Sequence, residues 1–210
     1  MHCKITKKKL QNMKSAIHAV LVVLIACLIY FLYQSIMEPI QFNKERDFRY
    51  AKGIERLKQI RTAQVAFKLE FGHYTSSFDS LIAYVKEGKF KVVRMEIDNS
   101  DPKDLSRTVA KDTTLVSIKD SLFKNVFLDS LRFVPFSGGK QIEMATNLLA
   151  TGSKVVVPVF EASMKNDDLL AGMDPQLVIN FNYDREELVG FAGLKVGSVS
   201  EANNNTGNWE

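Results

Sequence analysis

Few side chains in this sequence can do chemistry, and their placement limits what that chemistry could be. The histidines are His2, His18 and His73. The first lies in a lysine-rich start and the second in a long apolar run, which leaves His73 alone to serve a water-exposed domain. A lone histidine with no cysteine nearby cannot furnish a structural zinc site, and a Ser-His-Asp or Cys-His relay has almost no material. Between Gly72 and Tyr74, His73 reads as a turn residue. The cysteines, Cys3 and Cys27, sit in the basic start and the apolar run, so they do not bridge within one chain.

The carboxylates offer little more. Asp98-Asn99-Ser100-Asp101 with Asp104 has oxygen donors for weak calcium binding but lacks the EF-hand spacing, and reads as a solvated loop. Asp167-Asp168 and Glu186-Glu187 are adjacent pairs, whose side chains diverge on a strand or helix, poor geometry for paired acid and base. A glycan hydrolase would have to draw on carboxylates such as Asp98, Asp101, Glu161 and Glu187. Ser137-Gly138-Gly139-Lys140 lacks phosphate-loop spacing and reads as a turn. The expectation is a non-enzymatic protein with no catalytic residue, metal site, cofactor or evident small-molecule substrate.

Charge placement removes another class. The formal net charge is +4, but Lys4, Lys7, Lys8, Lys9 and Lys14 fall within the first 14 residues, where there is no acid. The rest of the chain is close to neutral, so the basic balance belongs to the tail and gives no nucleic-acid surface. From Met37 to Met95 there are 12 Lys/Arg against 7 Asp/Glu, and from Glu96 to Glu210 there are 11 against 17. A basic proximal part and an acidic distal part are either unequal solvated faces or complementary surfaces for a partner.

The elements that must position these residues begin with a membrane span. Ala16 to Tyr33 is apolar apart from His18, which is near enough to the start of the span to reach the headgroups. Residues 15–37, at about 1.5 Å of rise each, are long enough to cross the hydrocarbon core. A second reading remains open at Leu24-Ile25-Ala26-Cys27, which is similar to a lipoprotein processing site. Because Leu28 to Tyr33 stay hydrophobic after that cysteine, an uncleaved anchor is favoured. The five lysines place the N-terminus in the cytoplasm and the C-terminal domain on the periplasmic or extracytoplasmic side of the inner membrane.

Pro39 marks a bend. Residues 38–72 then form a stalk helix. Tyr50, Ile54, Leu57, Ile60, Ala63, Phe67 and Phe71 recur at intervals of three and four, one apolar stripe that either its own domain or another subunit covers. Gly72 stands where a helix would end, and Ser76 or Ser77 caps a shorter helix closed by Gly88. Strands are expected at Lys89–Ile97, Leu115–Ile118, Ser130–Pro135, Gln141–Leu149, Lys154–Phe160 and Pro175–Tyr183. Pro158 argues for an edge strand. Ser200 to Glu210 reads as a loop that hooks back through Trp209. Residues 73–210 are thus an α+β head with a mainly antiparallel sheet.

This order resembles the type IV pilin and type II pseudopilin family. The local run Arg61-Thr62-Ala63-Gln64-Val65-Ala66-Phe67, followed by Phe71-Gly72-His73-Tyr74-Thr75, is similar to the distal half of the pilin helix and the glycine-x-tyrosine after it. Pro39 matches the proline of the first pilin helix. Thr206-Gly207-Asn208-Trp209 is faintly similar to the ending of major pseudopilins, though the aspartates of their calcium loop are missing. Lys14-Ser15-Ala16-Ile17-His18 has neither the cleavage glycine nor the glutamate of the family. The resemblance therefore implies a pilin-like head and a structural or assembly role in an envelope apparatus, on a chain that stays anchored. Protein partners, including further copies of itself, are expected. The alternative is a membrane-tethered binding module or scaffold whose head recognises another envelope component.

Overall fold

A computed structural model describes residues 2–95, 111–124, 126–150 and 155–210. Helix α1 runs from His2 to Phe71 with Pro39 inside it, so the proline does not divide the span from the stalk. The missing N–H at Pro39 costs one backbone bond, which the turns on either side tolerate without the helix ending. The chain forms two compact units, Met1–Asp47 and Phe48–Glu210.

In the first unit, every residue from Ile17 to Ile36 is exposed. The large apolar side chains among them face all sides of the helix, including Val22, Val23, Ile29 and Phe31. A helix apolar all round, with nothing packed on it, needs an apolar solvent. It is long and apolar enough to cross a membrane.

The second unit is the α+β head. The end of α1 is set by Gly72, whose positive φ of 78° suits a residue without a Cβ and whose N–H reaches Lys68 O at 2.8 Å. Helix α2 (Phe78–Glu87) follows. Ser77 caps it, accepting from Ser80 N, and Leu81, Ile82, Tyr84 and Val85 are its buried face. Strands β1 (Lys89–Met95) and β2 (Lys111–Ser117) form an antiparallel pair. Then come the short helix α3 (Ile118–Leu122) and a 3-10 turn over Leu128–Arg132. The second sheet has the order β3-β4-β5, from Glu143–Ala150, Val156–Lys165 and Gly193–Gly197, all antiparallel. Helices α4 (Asn166–Leu169) and α5 (Pro175–Val189) connect β4 to β5.

Three expectations change. Ser130–Pro135 is largely the 3-10 turn, and only Phe133 bridges Gln141 across the glycine turn. Pro158 lies on the central strand; β5 pairs only with Glu161–Lys165 of β4, so the proline faces β3 on one side and needs no donor on the other. Pro175–Tyr183 is helical, not extended: Asp174 accepts from Leu177 N at 2.9 Å and Pro175 takes the first turn, where its missing N–H is harmless. The acidic run Asp98 to Asp104 and Lys154 lie outside the described residues.

The core forms where the sheet packs on α1. Gly53 makes this approach close, because a Cβ there would stand 2.8 Å from Leu194 Cδ1 and 3.2 Å from Met164 Sδ. Leu57, Ile60, Phe160, Met164 and Leu194 fill the space between. The C-terminal residues return along β5: Val196 bridges Gly207, and Gly197 N donates to Thr206 O at 3.0 Å. Trp209, expected to anchor this return, is half-buried with its indole nitrogen buried, and Arg61 clasps Glu210 at 2.8 Å.

Candidate functional site

The stripe expected to meet a partner divides. Leu57, Ile60 and Ala63 are wholly buried and Phe67 nearly so, all covered by their own head, so they present nothing to a second chain. Tyr50 is half-buried, its hydroxyl donating to Asn166 Oδ1 and its ring edge-on to Phe181. Ile54 is half-buried and Phe71 exposed. The physical reason is angular. At about 100° per residue, Gly53, Leu57, Ile60, Gln64 and Phe67 share one side of α1, and the sheet needs that side.

Gln64, fully buried, holds the turn after α1 in place. Its Nε2 donates to Thr75 O at 2.5 Å, and its Oε1 accepts from Thr75 N at 3.2 Å. On a neighbouring side, Tyr84 of α2 is buried against Phe67 and Phe71 and donates to Ala66 O at 3.0 Å. Burial, reinforced by Glu70, pushes its phenol up to about 12. A raised folded-state pKa means the contribution is fully present below the ordinary phenol value and is lost as pH rises toward about 12. Phenolate absorbance should therefore contain a late step near pH 12 that belongs to Tyr84. Tyr84→Phe should remove that step and lower stability by about 1 kcal/mol, the net worth of one hydrogen bond.

Opposite the sheet, α1 is bare. A furrow runs along Ala51, Ile54, Glu55, Lys58, Thr62, Val65 and Leu69, bounded on one side by Leu122 of α3 and at its far end by Asn204 and Asn205. Val65 is 38% exposed, Leu69 78% and Leu122 43%, so its floor is apolar and open to solvent. Lys68 and Arg61 line its distal part, with Arg61 paired to Glu210. No protein-family model, no curated protein and no solved structure matches this chain. The function must be argued from surfaces alone.

The carboxylates considered for chemistry are dispersed. Glu161 lies on β4, Asp167 and Asp168 on α4, and Glu186 and Glu187 on α5. Among the described residues no three His, Cys, Asp or Glu side chains could together hold a metal ion. His73 sits in the turn after α1, its Nδ1 3.0 Å from Phe71 O. Sequence reasoning missed two surfaces: the furrow, signalled by Val65 and Leu69 four residues apart off the main stripe, and the outer face of α5. Ile179 and Tyr183 are exposed there at 60% and 69%, beside exposed Glu186 and Glu187.

Proposed function

We propose that this chain is a membrane-anchored, non-enzymatic structural or assembly subunit of a bacterial envelope apparatus, similar to the pilins and pseudopilins but permanently held in the inner membrane. Its N-terminus faces the cytoplasm and its head the periplasm. The observation that carries the reading is the contrast along α1: the stretch from Ile17 to Ile36 is mostly apolar and exposed throughout, while Gly53 to Phe67 is packed beneath an antiparallel sheet of the same chain. One helix thus serves two solvents, and the head presents an apolar furrow where an enclosed substrate pocket would otherwise be sought.

The test is the native size of the full-length chain extracted from membranes in mild detergent. Assembly predicts a species several times the 23.7 kDa chain, built from this chain or from it with other envelope proteins. A monomer carrying one stoichiometric foreign protein on its head would transfer the choice to the tethered binding module. The cationic furrow is the feature that favours that second reading.

A further inference from the structure

Helix α5 and the furrow behind α1 have opposite chemistry and comparable length. The packed side of α5 is Val178 with half-buried Leu177, Phe181, Asn182 and Arg185. Arg185 turns inward, donating to Gly193 O at 3.2 Å with its guanidinium over the Tyr50 ring. Asn166, buried, donates to Asn182 Oδ1 at 2.8 Å and so fixes the helix from the same side. The opposite side therefore carries acids and apolar groups without a cation: Ile179 and Tyr183 with Glu186 and Glu187.

Two details make this face more than solvated surface. Glu186 and Glu187 stand in the last turn of α5, which has no basic residue, so they oppose the helix dipole. Ile179 and Tyr183 on the same side are 60% and 69% exposed. Both placements cost local stability, and a cationic, apolar partner surface offsets both. An anionic lipid surface does not, because it repels the same acids.

The furrow supplies that partner surface. It offers Val65, Leu69 and Leu122 as an apolar floor with Lys58 and Lys68 along it; Glu55 joins the proximal lining, and Arg61 is already paired with Glu210 at 2.8 Å. From Ala51 to Leu69 it extends roughly 27 Å at the helical rise, and the 15 residues of α5 need roughly 22 Å. We infer that α5 of one copy seats in the α1 furrow of the next, an acidic apolar helix in a basic apolar groove. The two surfaces are different patches of one head, so the contact is heterologous and propagates from copy to copy without pairing off. This inference rests on the assembly reading and names the surfaces it uses.

The test uses the full-length chain in native membranes, with Cys3 and Cys27 replaced by serine. Chains carrying Leu69→Cys are co-expressed with differently tagged chains carrying Tyr183→Cys, and mild oxidation follows. Mixed-tag dimers are expected, with no Leu69–Leu69 or Tyr183–Tyr183 position dimers, and the double variant should give a ladder of dimers, trimers and higher species. Glu186→Lys with Glu187→Lys should cut the yield by at least about tenfold through like-charge contact, and Lys58→Glu with Lys68→Glu in the partner should restore it. That rescue also excludes misfolding as the cause of the loss.

Dimers joined only through identical positions would overturn the head-to-tail contact, as would a disulfide closed within one chain. A foreign protein trapped by Leu69→Cys alone would give the furrow to another partner and also overturn it. Absence of mixed dimers in a sample of large native size would remove these surfaces while leaving the assembly reading standing. Absence of mixed dimers from a monomer would remove both.

Discussion

Leu57→Asp is expected to abolish the cooperative unfolding transition of the head. Leu57 is fully buried one turn beyond Gly53, where α1 meets the sheet. Losing the leucine alone costs about 2–5 kcal/mol at such a site. The carboxylate adds a desolvation cost of several kcal/mol at a fully buried position, where the neighbouring Arg61 is already paired with Glu210. Against a usual total of about 5–15 kcal/mol, the folded head does not survive. Thr62→Asp, on the exposed side of the same helix, should stay within about 0.5 kcal/mol of the parent. Near-ultraviolet circular dichroism melts of the detergent-solubilised chain separate the two. A normal melt for Leu57→Asp would mean that the sheet does not cover α1 at this height.

The second large effect lies in the apolar segment. Val23→Arg with Leu24→Arg should convert an alkali-resistant membrane protein into one that alkaline carbonate releases. Each arginine at the middle of a span costs about 2.5–3.5 kcal/mol, and the pair shifts partition by about four to five orders of magnitude. Val23→Phe with Leu24→Phe keeps the side chains apolar and should leave the chain in the pellet. Retention of the double-arginine chain in the carbonate pellet would show that this segment is not what holds the protein to the membrane.

Elements with a local signal were legible in the sequence. Ser77 and Gly88 bracket α2 because a hydroxyl can satisfy a free helix N–H and a glycine can leave the helix. Gly72 ends α1 for the same kind of reason. The unbroken run from Ala16 to Tyr33 needs only composition and length. Helix α5 was not legible by alternation: Leu177, Ile179, Phe181 and Tyr183 sit at every second position and imitate a strand. The structure instead follows the Asp174-Pro175 start signal, and Val178, Phe181 and Arg185 turn toward the sheet.

The functional surfaces were harder to see for a different reason. The regular stripe through Leu57 and Ile60 is the strongest periodic signal in the head, and burial by its own sheet uses it up. The furrow is marked only by Val65 and Leu69, and it becomes a furrow only once Leu122 stands beside it. Surfaces assembled from distant segments have no one-dimensional pattern to read.

The close approach at Gly53 also bears on the timing of folding. Its neighbours Met164, Leu169 and Leu194 come more than a hundred residues later in the chain, and Arg61 waits for Glu210. Synthesis therefore delivers the helix first and its cover last. Until those residues are made, Leu57 and Ile60 lack the sheet that covers them, and the loop that must close on them is nearly as long as the head itself. Such long-range closure is slow and leaves a sticky intermediate. The amount of this protein in a cell should accordingly depend on whatever chaperone shields nascent apolar helices on the side of the membrane where the head folds.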